Sequence, residues 1–318
     1  MPEPPSPAHY RTVVKAILEG RVVPLLGAGV NLCGRPEECA WGQGEYLPNG
    51  RELAEYLANY FEYPPTDVRD LARVSQYAAV ISGSGPLYEE LHQVFDADYP
   101  PGPLHRLLAE VPTILRENVE TPRYQLIVTT NYDDALERAF LDAGETFDVI
   151  TYVAEGDFRG KFVHIPPDDE PRLIEKPNEY ADVSLDVRTV ILKIHGAIDR
   201  KDADRDSYVI TEDHYIDYLT RTDISNLVPV TLAAKLRRSH FLFLGYGMRD
   251  WNLRVILHRI WGAQALTYKS WAIQRDAEPI EQEFWRKRGV DIIYVELADY
   301  VEELLEQVRA SHALEISP

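Results

Sequence analysis

Four short segments carry the side chains best suited to chemistry, and each one follows an apolar run. Tyr124–Val128 leads into Thr129-Thr130-Asn131-Tyr132-Asp133-Asp134, and Ile191–Ile194 leads into His195-Gly196. Val22–Leu26 opens into Gly27-Ala28-Gly29-Val30-Asn31, and Phe241–Leu244 opens into Gly245-Tyr246-Gly247-Met248-Arg249-Asp250. A histidine at a strand end can take up a proton near neutral pH. Glycine and alanine after a buried strand allow backbone amides to approach a pyrophosphate closely. Together these groups suit acid–base work on a nucleotide-like ligand, without a metal.

Each segment also has a plainer reading. Gly27-Ala28-Gly29 fits an ordinary strand-to-loop turn, since Leu32 stands where a dinucleotide fingerprint has its third glycine. No acid about 20 residues on closes a second strand, which disfavours an ordinary dehydrogenase. Asn131 fits a helix N-cap, with Asp133 and Asp134 favoured by the helix dipole. Asp250 fits another N-cap. His195 fits a satisfied structural histidine; of the other eight, only His164 has a comparable setting. The convergence of four such segments is more specific than any one of them.

The elements that must position these residues alternate. A helix is expected over Ala8–Glu19, a strand over Val22–Leu26 and a loop over 31–49. Helices are expected over Arg51–Phe61, Val68–Val80, Pro86–Phe95 and Leu104–Glu110, a helical insertion over about 50–120. Strands follow at Tyr124–Thr129, Phe147–Val153, Lys161–Ile165, Arg188–Ile194 and Tyr208–Thr211, with helices at Asp133–Asp142, His214–Thr220 and Asn226–Arg238. The remainder reads strand His240–Leu244, helix Asp250–Trp261, strand Ser270–Gln274, helix Pro279–Arg288, strand Asp291–Val295, helix Ala298–Ala313. Alternation of this kind implies an α/β fold: a Rossmann-like, mostly parallel sheet with helices on both faces and a helical insertion after the first strand. Ligands in such sheets bind at the carboxyl ends of the strands, where all four segments lie.

Composition narrows the class. The 318 residues are 45% hydrophobic, enough for a substantial core, and one domain over 1–318 is expected behind a flexible proline-rich lead at 1–7. With 33 Lys and Arg against 52 Asp and Glu, the net charge of −19 disfavours direct nucleic acid binding or an anionic membrane surface. Two cysteines, Cys33 and Cys39, cannot form a Cys₄ zinc site or a disulfide scaffold, and they suit the reducing cytoplasm. No apolar run approaches the ~18 residues of a membrane span, and the N-terminus has no signal-peptide pattern.

In their order, Gly-Ala-Gly-Val, Thr-Thr-Asn-Tyr-Asp, Lys-x-His-Gly and Gly-Tyr-Gly-x-x-Asp resemble the sirtuin superfamily. They resemble more narrowly the sirtuin-like NAD-hydrolase domains of bacterial anti-phage defence systems, over about Val22 to Leu257. Leu47-Pro48 resembles the Leu-Pro segment that these domains carry after the first glycine loop. The resemblance implies NAD as substrate, bound across the carboxyl edge of the sheet. It places Gly27, Ala28, Gly29 and Asn31 by the pyrophosphate and Asn131 as the catalytic asparagine on a ribose hydroxyl or the attacking water. His195 becomes the general base, Asp133 helps set the nicotinamide-side pocket, Gly245, Tyr246 and Gly247 line the adenosine end, and Thr130 and Asp250 join the cofactor-binding set. Two departures stand out. The interval after His195 lacks the four zinc-binding cysteines of sirtuin deacetylases, and Asn31 replaces the usual serine. Arg35 sits in a segment faintly like a deacetylase loop; it reads as a phosphate contact or as a solvated loop arginine.

The function these features imply is cleavage of NAD to nicotinamide and ADP-ribose by a defence effector, with the helical insertion closing over the nicotinamide. The alternatives are a deacylase or ADP-ribosyltransferase and a non-catalytic sensor of NAD or ADP-ribose. Because an ungated NAD hydrolase would poison its host, a homo-oligomer is expected, as is a partner ATPase, of translocase or signalling type, from the same operon. Tyr46, Tyr56, Tyr60 and Tyr63 read either as interface anchors or as helix-packing core.

Overall fold

The computed structural model describes residues 5–36, 38–39, 41–42, 45–65, 67–118, 124–220, 224–248, 254, 257–258, 260, 268–275 and 278–316. Its strands are β1 (Val22–Leu26), β2 (Leu126–Thr129), β3 (Phe147–Tyr152), β4 (Phe162–Ile165), β5 (Arg172–Leu173), β6 (Thr189–Lys193), β7 (His240–Leu244), β8 (Ser270–Gln274) and β9 (Val290–Tyr294). They form one sheet in the order β5-β4-β3-β6-β2-β1-β7-β8-β9. Every pairing from β3 across to β9 is parallel, and β4 alone points opposite to the other strands, antiparallel to both β3 and β5.

The helices described are α1 (Pro7–Leu18), α2 (Gly50–Tyr60), α3 (Leu71–Ser82), α4 (Ser84–Phe95), α5 (Pro103–Asn118), α6 (Ala135–Asp142), α7 (Glu212–Thr220), α8 (Val230–Arg237), α9 (Pro279–Arg286) and α10 (Leu297–Ile316). Strand side chains alternate between two cores, as the pleat requires. Val23, Leu25, Val128, Leu192, Phe241 and Phe243 pack with α7, α8 and α9. Val22, Leu26, Ile127, Ile191, Leu242 and Leu244 pack with α1, α5, α6 and α10. A third core joins α2, α3 and α4 to Tyr132, Ala135, Ile198, Tyr208 and Ile210. The helical insertion therefore divides. Its first three helices stand at the carboxyl edge of the sheet, and α5 is an ordinary crossover helix lying on a sheet face.

Register decides what meets at that edge. Lys193 of β6 pairs with Thr129 of β2, Thr129 with Leu26 of β1, and Leu26 with Leu244 of β7. These four are the last residues of their strands, so four chains leave the sheet in one row.

Several boundaries differ from expectation for identifiable reasons. The lead is shorter than 1–7: Ser6 caps α1 by accepting from the His9 amide, and Pro7 opens the helix, where its missing N–H costs nothing. The helix expected to stop at Glu110 runs through Pro112 to Asn118. Pro112 cannot donate to the Leu108 carbonyl, and the Gln125 side-chain amide does so instead, at 2.9 Å. Pro229 shortens the helix expected from Asn226, because the residue before a proline avoids helical geometry. Tyr208–Thr211 is not a sheet strand; Ser207 and Val209 donate to the carbonyls of Ala197 and His195, at 3.0 and 2.8 Å. The two-residue β5 was not anticipated. Most of the helix expected over 250–261 lies outside the described residues.

Arginines tie the three-helix group at both ends. At its entry, Arg35 forms a two-pronged pair with Glu52 at 3.0 and 2.6 Å and donates twice to the Cys39 carbonyl. At its exit, Arg200 donates to the carbonyls of Phe95 and Ala97 and to the Asp134 carboxylate.

Two stability predictions follow from this frame. Gln125→Leu leaves the Leu108 carbonyl buried without a donor and should cost about 1–3 kcal/mol; an unchanged urea midpoint would refute this account of the helix through Pro112. His105 is 3% exposed, and burial, aided by the charges of Arg106, Lys193 and Arg138, lowers its pKa from 6.5 to about 4. The unfolded chain therefore binds the extra proton between those values. Stability from this group is complete above pH 6.5 and declines toward pH 4, by on the order of 3 kcal/mol. His105→Asn keeps an acceptor for the Gly102 amide and should flatten that acid limb in denaturation measured from pH 7 to 4.

Candidate functional site

The row of strand ends opens into a cleft of about 480 Å³. Ala28, Gly29 and Asn31 line it from the first loop, Thr130, Asn131, Tyr132 and Asp133 from the second, and His195 from the third. Gly245, Tyr246 and Gly247 complete the sheet side, and Pro48, Arg51, Arg69, Asp70, Leu71 and Phe95 form a wall from the helical segments. The structure thus brings together every described residue of the sequence-derived set except Gly27, whose carbonyl accepts from Asn131 Nδ2. Asp250 lies outside the described residues.

Asn131 is 8% exposed. It is not the cap of α6: that position is Asp134, and the Asp133 carboxylate accepts from the Ala135 amide at 3.1 Å. The Asn131 backbone amide donates to the Thr129 hydroxyl at 3.0 Å, and its Nδ2 donates to the Gly27 carbonyl at 3.4 Å. A carbonyl can only accept, so this bond fixes the amide orientation. Its Oδ1 is buried and accepts no hydrogen bond among the described residues. Such an atom is costly unless a ligand or water supplies a donor.

His195 is 3% exposed and stands edge-on to Tyr215 and Tyr218, with ring centroids 5.5 and 5.3 Å away. Its loop is set by Gly196, whose φ of +88° favours glycine and where a Cβ would lie 2.0 Å from the Ser207 carbonyl oxygen. Beneath the second loop, Lys193 is 1% exposed; it donates to the Asp133 carbonyl and to Glu137, the latter at 2.7 Å. Burial pushes the Asp133 carboxyl upward, and the Lys193 charge opposes that shift.

The glycines pack the first and fourth loops against each other. A Cβ on Gly29 would lie 2.6 Å from the Gly245 carbonyl oxygen, and one on Gly245 would lie 2.3 Å from the Val30 nitrogen. Gly27 is likewise confined by Gly245 and the Tyr246 ring. The amides of Gly27 and Gly29 donate to the carbonyls of Leu244 and Gly245, and that of Val30 donates to Gly27. These residues are small because two loops pack backbone to backbone, and those three amides are already committed. Tyr246 and Thr130 join the loops across the cleft floor through a 2.7 Å hydroxyl pair.

Other candidates resolve differently. Arg35 is not a solvated side chain; its side chain is 4% exposed and clamped to Glu52. His164 pairs with Asp148 and Tyr180, each at 2.8 Å, and has a structural setting within the sheet. Tyr63 is buried and Tyr56 packs on Trp41, as helix-packing core, whereas Tyr60 is 56% exposed. Tyr46 lies under the Arg35 guanidinium. Sequence reasoning missed Arg51, Arg69 and Tyr215. The arginines stood inside a helical pattern as ordinary surface charges, and nothing local marked them as facing a cleft.

Gly245→Ala places a methyl against the first loop at a φ of +70°. Strain and overpacking together should cost about 2–5 kcal/mol; wild-type stability in urea would show that the loops are not packed this way.

Comparison with known proteins identifies the family. The SIR2-like domain model matches residues 125–293, just over half of the chain. The match includes Asn131, His195 and Gly245. Defense-associated sirtuin 2 of Bacillus subtilis is 26% identical over 292 residues, covering 89% of this chain and 24% of that protein. NAD(+) hydrolase ThsA of Enterococcus faecium is 29% identical over 193 residues, covering 60% and 32%. NAD(+) hydrolase ThsA of Cytobacillus dafuensis is 26% identical over 212 residues, covering 67% and 34%. The chain therefore spans about a quarter to a third of the length of these relatives. With its parallel sheet, its row of strand ends and a match over more than half its length, the chain belongs to the SIR2-like domain family.

Proposed function

We propose that the cleft hydrolyses NAD to nicotinamide and ADP-ribose, as the NAD-depleting effector of a bacterial anti-phage defence system. The observation that carries this reading is the Asn131 carboxamide, turned by its bond to Gly27 so that a buried acceptor is left for a ligand, in one cleft with His195. The names of the relatives, two of them NAD(+) hydrolases, support the same substrate.

The chemistry asks little of the protein beyond positioning. The bond from ribose C1′ to the nicotinamide nitrogen breaks, and the electron pair leaves with neutral nicotinamide. Asn131 Oδ1 accepts from a ribose hydroxyl or from the attacking water, holding one against the other. The water oxygen bonds to C1′ as an oxocarbenium-like charge develops there, and His195 takes the proton the water sheds. Asp133, low in the same cleft, borders the leaving group. His195 and its tyrosine neighbours limit bulk water at that end.

In this reading the protein works in the cytoplasm, where NAD is consumed, and self-association or a partner protein gates it. The support for gating is physiological: an ungated hydrolase would deplete its own cell. A partner ATPase from the same defence operon fits that role. Among the described residues, no helix is long and apolar enough to cross a membrane.

Nicotinamide release from NAD by the purified chain, over a concentration series, tests the assignment. Asn131→Ala and His195→Ala should each lower release by at least 100-fold while leaving the thermal midpoint within a few degrees. Wild-type rates in both variants would sink the site. Release that requires an acylated lysine peptide would favour a deacylase; binding without release at any concentration, and with no activating partner restoring it, would favour a sensor.

A further inference from the structure

Lys193 has no part in the chemistry set out above, yet it is almost wholly buried, 1% exposed at the end of β6. Lysine is seldom buried to that degree unless it is paired. Its Nζ donates to the Asp133 carbonyl and to Glu137 Oε1, the latter at 2.7 Å. Glu137 lies in the first turn of α6, with its side chain 14% exposed. A buried ion pair adds little to stability, because taking both charges out of water offsets their attraction, and apolar residues of similar volume often replace such a pair without loss. The geometry that this lysine imposes is the more informative feature.

The carbonyl it holds belongs to the loop that carries Asn131, and the strand it ends is the one that leads into His195. Lys193 stands two residues before His195, and its target stands two residues after Asn131. Two backbone bonds also tie these loops: the Ile194 amide donates to the Thr129 carbonyl and the Ile198 amide to the Tyr132 carbonyl, both at 3.0 Å. Those contacts need no particular side chain. The bond from Lys193 does, and it is charge-assisted, so it is the stronger kind. Asn131 is thereby set between two fixed points. On one side the Thr129 hydroxyl accepts from its backbone amide at 3.0 Å, and on the other the Asp133 carbonyl is pinned by the ammonium.

We propose that Lys193 is a positioning residue for nicotinamide release: its ammonium fixes the loop from Asn131 to Asp133 against the strand end that carries His195, so that the two groups meet the ribose at a set separation. This rests on the hydrolase reading and deepens it. Glu137 anchors the ammonium, and the contact that serves the reaction is the one to Asp133. The two contacts can be separated by substitution.

Steady-state nicotinamide release, thermal midpoints and backbone hydrogen exchange over residues 129–134 test the assignment, on the wild type, Lys193→Met, Glu137→Gln and the double variant. Lys193→Met should lower kcat on the order of 100-fold and leave KM within about threefold, because a positioned group displaced by about 1 Å loses that much. It also strands the Glu137 carboxylate and should lower the thermal midpoint. The double variant removes both charges. Its midpoint should return to near that of the wild type, while kcat stays low and the loop amides exchange faster. Glu137→Gln keeps an acceptor for the ammonium and should keep most of the wild-type kcat and the wild-type exchange. A folded double variant with wild-type kcat and exchange overturns the proposal. So does a loss in Glu137→Gln equal to that in Lys193→Met, which would assign the effect to the ion pair. If the wild type releases nicotinamide and both Lys193 variants match it, only this proposal falls. If the wild type releases none, even with an activating partner, the hydrolase reading falls; faster loop exchange in the double variant then still upholds the tie, and unchanged exchange overturns both.

Discussion

Everything at the cleft depends on register. Lys193, Thr129, Leu26 and Leu244 pair side by side across β6, β2, β1 and β7, and each is the last residue of its strand. A slip of one residue in β2 would turn Ile127 and Val128 onto each other's faces, moving buried apolar groups into the wrong core. The two cores thus fix the register, and the register fixes where Asn131 and His195 emerge. These two are 64 positions apart in sequence, yet no long-range device beyond strand pairing is needed to bring them to one cleft.

The loops that leave the row are held as tightly as the strands. Gly29 and Gly245 touch backbone to backbone, Gly196 fits beneath Ser207, and Thr130 and Tyr246 share a hydrogen bond across the floor. Such contacts leave little freedom at the positions that face a ligand. They also commit the amides of Gly27, Gly29 and Val30 to protein carbonyls.

The sheet was legible because parallel strands buried on both faces read as short apolar runs, and β8 and β7 fall where those runs stand. The four chemical segments were legible for the same reason, since each begins where a run stops. What escaped the sequence depended on distant partners. The helix expected to end at Glu110 continues through Pro112 because Gln125 supplies the missing donor. Asn131 looked equally like a cap, and only the position of Asp134 and Ala135 separates the two roles. Glycine after a strand signals close approach without saying to what; here the neighbour is another loop. Arg35 and Arg69 are indistinguishable by local pattern, yet one is locked inside the fold and the other faces the cleft.

The arginine ties at the two ends of the α2–α4 group bear on how a ligand is admitted. Arg35 joins the entry segment to Glu52, and Arg200 joins the exit segment to the loop that carries Asp134. A segment fastened at both ends is a wall rather than a flap, and it cannot swing on either connection without breaking charge-assisted bonds. The ordering entropy of that wall is lost when the chain folds, not when the ligand arrives. Association would then be governed by diffusion and shape more than by closure, and the heat of binding should report contacts with the ligand, with little contribution from rearranged protein.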